Sequence, residues 1–317
     1  MKALVFTAPG TMELLDVPEP DPAPGEVLVE VRAAGICGSE LHGARRPGFR
    51  KPPLIMGHEF AGISAGGEAV VVNPILSCGH CAECGRGLRH VCRNREIIGV
   101  HRAGGFAERV AVPASALRPL PPGLPWETAA LIEPAANAVH AWNQALGALG
   151  TGGAQGARVA VIGCGAIGLL CAATALSGGA GRVEVADLSP ARLAAARRLG
   201  AEVAGPGLSG QHDVVIDAVG SAATRAASVT HQCPGGVAVW LGLAEEEAGF
   251  DANALIRSEK RVLGSFAYRD EEFAHAMAQI QDWDLTWAAG YPLAAAAEVF
   301  TGLMNGGLHP LKALLRP

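Results

Sequence analysis

Two sets of metal-ligating side chains and one glycine-rich turn carry the chemistry that this sequence can do. Cys78, Cys81 and Cys84 are spaced Cys-x-x-Cys-x-x-Cys, and Cys92 follows in the same stretch. Gly79, Gly85 and Gly87 leave that stretch supple enough to wrap an ion. Four thiolates at tetrahedral reach make a closed zinc site, architectural because no coordination position stays open. Disulfides are disfavoured in a reducing compartment, and four-cysteine ligation does not by itself exclude an iron–sulfur cluster. The second set is dispersed. Cys37-Gly38-Ser39-Glu40-Leu41-His42 places a hydroxyl and an imidazole just after a thiol, and Gly57-His58-Glu59 sets an imidazole beside a carboxylate. Ile132-Glu133-Pro134 adds a carboxylate at a helix entry. Any one of these alone reads as a packed core residue. Cys37, His58, Glu59 and Glu133 together describe a catalytic zinc site, in which Cys, His and carboxylate ligands leave one position exchangeable.

The turn is Gly163-Cys164-Gly165-Ala166-Ile167-Gly168, which fits G-x-G-x-x-G. The motif is weak alone, but here a strand precedes it, a helix follows, and Asp187 closes the next strand about 20 residues on, as a dinucleotide site requires. Gly163 permits the tight turn, Gly165 lets the backbone approach a pyrophosphate, and Gly168 lets helix and strand pack closely. The helix N-terminus presents free N–H groups to the phosphates. Asp187 is expected to accept hydrogen bonds from both ribose hydroxyls and to repel a 2′-phosphate, which favours NAD over NADP. Arg192, one helical turn beyond, leaves NADP open.

These residues need a scaffold of two kinds. Residues 1–135 read as β-rich, with Val27–Val31 and Ala69–Val72 as β-branched runs bounded by Pro, Gly and Asn. Pro18, Pro20, Pro22 and Pro24 form a stiff connector, and Glu127–Leu149 reads as one helix. From about 156 to 266 strands alternate with helices: strands at Arg158–Ile162, Arg182–Ala186, Asp213–Ala218 and Val237–Leu241, helices at Ile167–Leu176 and Pro190–Leu199. That alternation predicts a doubly wound parallel sheet. The tail carries an amphipathic helix, Glu271–Ile280, and a last strand near Leu311–Leu315.

Composition agrees with this picture. The 317 residues suggest two domains. Hydrophobic residues make up 50% and charged residues 17%, so cores form and extended disorder is excluded. Gly 42 and Pro 21 make about a fifth of the chain, which implies many tight turns. The net charge of −5 offers no basic footprint for nucleic acid. Val159–Gly181 is uncharged between Arg158 and Arg182 and passes a membrane-span filter of about 20 residues by length. It reads instead as strand, turn and helix buried on both faces. The first residues form too short an apolar run for a signal peptide, so a cytoplasmic protein without membrane partners is expected.

The motifs taken together resemble the zinc-dependent medium-chain alcohol dehydrogenase family, in its polyol, sorbitol and threonine dehydrogenase-like branch. The resemblance runs nearly end to end, from Cys37-Gly38-Ser39 through Gly57-His58-Glu59, the four-cysteine lobe, Ile132-Glu133-Pro134 and the nucleotide fingerprint to the closing Lys312–Pro317. It implies an α/β protein: a GroES-like β-rich catalytic domain made of residues 1–135 and 267–317, with a Rossmann domain, 136–266, inserted between. It implies two zinc ions per chain, a small-molecule alcohol or ketone substrate, and a homodimer or homotetramer. Carried over residue by residue, Cys37, His58 and Glu133 match catalytic zinc ligands and Glu59 the adjacent glutamate that can join them. Ser39 and His42 match the proton relay, and Cys78, Cys81, Cys84 and Cys92 the structural zinc. Gly163, Gly165, Ile167, Gly168, Asp187, Arg192 and Gly242 match cofactor positions, with Lys312 near the pyrophosphate. The implied reaction is hydride transfer between a secondary alcohol and nicotinamide. An aldehyde or ketone reductase on the same fold and a non-catalytic zinc- and nucleotide-binding protein are the rival readings.

Four features depart from the family pattern. The hairpin from Gly62 to Val72 is abbreviated, Glu68 stands there where an Asp is expected, Gly200–Gln211 lacks room for a helix, and Glu40 too stands where an Asp is expected. Arg45, Arg46, Arg50 and Lys51 read as a solvated loop, with an anionic-substrate site as the alternative. Cys164, Cys171 and Cys233 read as small buried hydrophobes, and Trp126, Trp240, Trp283 and Trp287 as packing residues.

Overall fold

A computed structural model describes residues 1–46, 48, 50–150 and 155–317. The chain divides into two compact units. The first comprises Met1–Glu133, Met277–Gln281 and Leu285–Pro317, the second Pro134–Ala276 and Asp282–Asp284. Residues 267–276, assigned to the catalytic segment on sequence, therefore group with the second unit. The reason is a buried polar knot: Glu272 accepts from Asn143 Nδ2 at 3.0 Å and pairs with His140 Nδ1 at 2.7 Å.

The first unit is β-rich. A sheet of seven strands is centred on Glu26–Gly35, which pairs antiparallel with Glu59–Ser64, Arg109–Pro113 and the last strand, Lys312–Arg316. A smaller sheet joins Lys2–Ala8 to Thr11–Asp16 and Leu54–Ile55. Alternate residues of the central strand, Val29 and Val31, face a core with Met56, Phe60, Phe106 and Phe300, as period-2 patterning requires. The pairing of the last strand with Glu26–Gly35 returns the chain end to this core and brings Lys312 with it.

The single helix expected over Glu127–Leu149 is two helices, Trp126–Ala130 and Ile132–Leu149. Pro134 explains the break. It has no N–H for the carbonyl of Ala130, and its ring would clash there in a continuous helix. Early in the second helix it is tolerated, because that amide would lack an intrahelical partner anyway.

The second unit is a six-stranded, wholly parallel sheet. Its order is Glu202–Gly205, Arg182–Ala186, Arg158–Ile162, His212–Asp217, Gln232–Trp240, Arg261–Gly264. This is the doubly wound order whose direction reverses beside the first strand, where nucleotides bind at the carboxyl ends. Residues 206–211 carry no helix. Ser209 donates through its amide to the buried Glu184 at 2.7 Å, and Leu208 packs on Ala160, Ile162 and Val215. The loop thereby covers the sheet itself. The uncharged run is the strand Arg158–Ile162 and the helix Ala166–Ser177, in which Gly168–Ala175 are all buried. Among the described residues no helix is long and apolar enough to cross a membrane.

The glycine-rich turn is dictated by sterics. Gly163 has φ +91°, and a Cβ on Gly168 would lie 1.7 Å from the Gly163 carbonyl oxygen. Gly168→Ala is therefore expected to cost about 1–3 kcal/mol, read as a lowered urea midpoint. An unchanged midpoint would show that the turn relaxes and that close packing does not require glycine here.

Candidate metal and nucleotide sites

The dispersed ligand set converges around one carboxylate. The helix Gly38–Arg45 starts at Cys37, and Glu40 in its first turn is fully buried. Glu40 Oε2 accepts from the Cys37 amide at 2.9 Å, while Oε1 accepts from the Gly57 amide at 2.9 Å and meets His58 Nδ1 at 2.9 Å. One side chain thus fixes the backbone beside both ligand segments and orients the imidazole through Nδ1. Glu40, which stands where an Asp was expected, reaches the histidine. Cys37, His58 and Glu59 offer ligand atoms within 4.8 Å of one another. Ser39 and His42 lie on the exposed side of the same helix, while Glu40, Gly43 and Ala44 face inward.

Two further candidate residues lie beside this set. Glu133 is buried at the start of its helix but is not among the atoms that converge. The tether made by Glu40 joins the helix at Cys37 to the segment at Gly57 and His58, and does not extend to Glu133 on a separate element. Lys312, expected near a pyrophosphate, is buried with its ammonium against Glu59. The strand pairing of the chain terminus places it there, and a buried ammonium requires a carboxylate partner. Burial lowers the Lys312 pKa, but Glu59 and Cys37 outweigh it and the net direction is up.

The electrostatics follow from burial and pairing. Burial pushes Glu40 up, and the His58 charge, with help from Arg50, reverses this to hold it below its ordinary value. For His58 burial acts downward, and Glu40 and Cys37 raise the pKa well above its ordinary value. Arg50 corrects the reading of a solvated basic loop. It is 2% exposed, donates to the Gly99 carbonyl at 2.7 Å and lies in the field of Glu40 and Cys37. Arg45, Arg46 and Lys51 are exposed.

The four clustered cysteines converge as well. Cys81 Sγ lies 3.5 Å from Cys84 and 3.6 Å from Cys92, and Cys92 lies 3.5 Å from Cys78. A tetrahedron with metal–sulfur bonds of about 2.3 Å has edges of about 3.8 Å, so the set fits zinc. Backbone amide donation, first from His80, draws the Cys78 thiol down to about 6, whereas desolvation and the hydrogen bonds with Cys84, Glu83 and Cys92 push the Cys81 thiol up to about 12. Glu83 and Arg93 close this lobe with two hydrogen bonds of 2.7 and 2.9 Å.

In the second unit Asp187 ends the strand Arg182–Ala186. Its Oδ2 accepts from the Cys164 amide at 2.7 Å and its Oδ1 from the Ser189 amide at 2.8 Å. Arg192 Nη1 lies 3.6 Å from Oδ2. Each oxygen keeps a further acceptor site. Gly165 and Ile167 stand at the start of the following helix. Gly242 follows the strand Gln232–Trp240 and donates to the Asp217 carbonyl at 3.0 Å. Sequence reasoning missed Asp217, whose signal was available: an acid closing a strand with a glycine three residues on. Cys164 and Cys171 are buried, whereas Cys233 is half-buried with its thiol 3.2 Å from Asp213 Oδ1. Burial also pushes the Cys164 and Cys171 thiols up to about 12. Trp287 is buried, while Trp283 donates to Ser177 Oγ at 3.0 Å.

Comparison with known proteins agrees with this geometry. Residues 23–122 match the alcohol dehydrogenase GroES-like domain, and residues 166–282 the zinc-binding dehydrogenase domain. The chain is 35% identical to D-altritol 5-dehydrogenase of Agrobacterium fabrum, covering 84% of each chain. It is 33% identical to L-threonine 3-dehydrogenase of Streptomyces avermitilis over 91% of this chain and 90% of that one. A solved zinc-binding dehydrogenase from Sinorhizobium meliloti, bound to NADP, superposes with a TM-score of 0.91 at 29% identity, covering 100% of this chain and 99% of that one. The chain belongs to the zinc-binding alcohol dehydrogenase family.

Two outcomes are expected of the Cys37–His58 set. Glu40→Gln should weaken zinc uptake there about 10–100-fold, measured by chelator competition; an unchanged affinity would remove Glu40 from metal binding. Because Glu40 and Cys37 raise the His58 pKa, zinc competes with a proton for this imidazole. Uptake should therefore weaken as pH falls, about tenfold per unit for each proton displaced, and a pH-independent affinity would contradict the assignment.

Proposed function

We propose that this chain is a zinc- and NAD-dependent dehydrogenase that interconverts a secondary alcohol of a polyol, sugar-like or amino-alcohol substrate and its ketone. The observation that carries the reading is the convergence of Cys37, His58 and Glu59 at the start of the helix on which Ser39 and His42 are exposed. The relatives' names support the substrate class, since they act on altritol and threonine. Asp187, held inward by the Cys164 and Ser189 amides, supports NAD in preference to NADP.

In this reading Cys37 and His58 hold the catalytic zinc, Glu59 and Glu133 complete or exchange at its shell, and Cys78, Cys81, Cys84 and Cys92 hold a second, structural zinc. Bound zinc supplies the Lewis acidity that lowers a hydroxyl pKa, and bound nicotinamide is the hydride acceptor. Ser39 Oγ accepts the substrate proton and passes it outward toward the exposed His42 imidazole. Glu40 keeps His58 in the tautomer that leaves Nε2 for the metal. Lys312 offsets the charge of Glu59 next to Cys37. Gly163, Gly165, Ile167 and Gly168 receive the pyrophosphate, and Asp187, with Arg192 beside it, the adenine ribose. The reading includes a reducing, cytoplasmic setting for the clustered thiols and a homodimeric or homotetrameric state.

The test is a panel of polyols, sugar acids and amino alcohols scored by reduction of NAD and of NADP, run with wild type and Cys37→Ser. Wild type should turn over at least one class with NAD, and Cys37→Ser should lose turnover while keeping its circular dichroism spectrum. Full activity in Cys37→Ser would overturn the catalytic-zinc assignment, and nucleotide binding without turnover on any alcohol would favour a non-catalytic role.

A further inference from the structure

Arg225 is a buried cation for which the chemistry above has no use. It lies on the helix Ala222–Thr230 and is 8% exposed. Its Nη2 donates to the Gly242 carbonyl at 3.3 Å, and its guanidinium sits 5.5 Å from the centroid of the Trp240 ring. Its Nε has no hydrogen-bond partner among the described residues. Trp240 is held in turn by its Nε1 donating to Ser228 Oγ at 2.8 Å, and Phe250 meets it edge-on at 6.2 Å. Arg225 and Ser228 are three apart, on one helical face, so this helix grips the end of the strand Gln232–Trp240 at two points. Burying a guanidinium is costly, and an aliphatic side chain would fill the same space without that cost. The cation's return is its hold on the peptide between Gly242 and Leu243.

That peptide lies at a tight crossing. A Cβ on Gly220 would fall 2.0 Å from the Gly242 carbonyl oxygen, and one on Gly242 2.1 Å from the Val219 carbonyl carbon. The turns that follow two adjacent strands therefore touch backbone to backbone. Asp217 locks the crossing from beneath. Its Oδ1 accepts from the Val219 and Gly220 amides at 2.9 and 3.0 Å, its Oδ2 accepts from Thr224 Oγ1 at 3.1 Å, and its carbonyl accepts from the Leu241 and Gly242 amides. Above the crossing the side chains are apolar yet open: Leu243 is 76% exposed and Val219 37%.

The strand order supplies the meaning. A dinucleotide lies across the reversal point, one mononucleotide over each half of the sheet. Gly163 and Asp187 belong to the half that takes the adenine nucleotide. The crossing ends the first two strands of the other half. We propose that Arg225 is a positioning residue for the nicotinamide half of the cofactor, fixing the Gly242–Leu243 peptide and the open apolar pair Val219 and Leu243 against which the nicotinamide nucleotide rests. This inference depends on the nucleotide reading above.

Two ligands separate the possibilities: NADH, and ADP-ribose, which lacks nicotinamide. Their affinities are compared by calorimetry in wild type, Arg225→Met and Arg225→Lys. Arg225→Met should weaken NADH about tenfold, the scale of one lost hydrogen bond from a charged donor, and leave ADP-ribose within about twofold. Arg225→Lys, which can still donate to Gly242, should recover part of the loss and carries the same comparison if Arg225→Met does not fold. An equal loss for both ligands would assign Arg225 to general stability, and no loss for either would remove it from cofactor positioning; each overturns the inference. If wild type bound neither ligand, the nucleotide reading itself would fail.

Discussion

The carboxylate of Glu40 accepts three hydrogen bonds in a fully buried position, from the amides of Cys37 and Gly57 and from His58 Nδ1. A buried carboxylate without donors would be strongly unfavourable, so these three groups have to stay where they are for the side chain to remain ionised. Those groups belong to the helix start that carries Cys37 and to the segment that carries His58 and Glu59. The constraint therefore does several jobs at once. It caps the first turn of the helix, aims the histidine ring, and brings a thiol, an imidazole and a carboxylate within 4.8 Å of one another. It also determines which side of the helix faces outward, and Ser39 and His42 are on that side. The central sheet supplies the remainder, since the last strand pairs beside Glu26–Gly35 and delivers Lys312 to Glu59.

The same device recurs in the second unit at the ends of parallel strands. Asp187 gathers the amides of Cys164 and Ser189, and Asp217 those of Val219 and Gly220 together with the Thr224 hydroxyl. In each case a strand-terminal carboxylate fixes the turn that follows, so that the turn's other polar groups point outward in a defined geometry. Preorganisation of this kind is what cofactor recognition needs, because a loop already held in place loses little further freedom on binding. Gly168, Gly220 and Gly242 are there because backbones approach each other too closely for a Cβ.

Much of this was legible in the sequence because it rests on local rules. Strand–helix alternation and the spacing of Gly163, Gly165, Gly168 and Asp187 define the parallel sheet and its turn, and the spacing of Cys78, Cys81, Cys84 and Cys92 defines a thiol cage. What was not legible depends on long-range packing. The pairing of Lys312 with Glu59 was not legible because its position follows from the pairing of the last strand with a strand some 280 residues earlier, and nothing around Lys312 encodes that partner. Arg50 looked solvated because its neighbours Arg46 and Lys51 are, and only the approach of Gly99 and Glu40 buries it. The break at Leu131 was readable from Pro134 but was outweighed by the helical pattern on either side. Arg225 gave no local sign, since its partners lie on the next strand.

The claim that carries most weight is that Glu40 assembles the ligand set before any metal arrives. A pair of crystal structures, of the zinc-loaded and the chelator-stripped protein, tests it most directly. In both forms Glu40 should remain within hydrogen-bond distance of the Cys37 and Gly57 amides and of His58 Nδ1, with Cys37 and His58 unmoved. A stripped structure in which His58 leaves Glu40 and turns away from Cys37 would show that the metal organises the site, and would contradict the account.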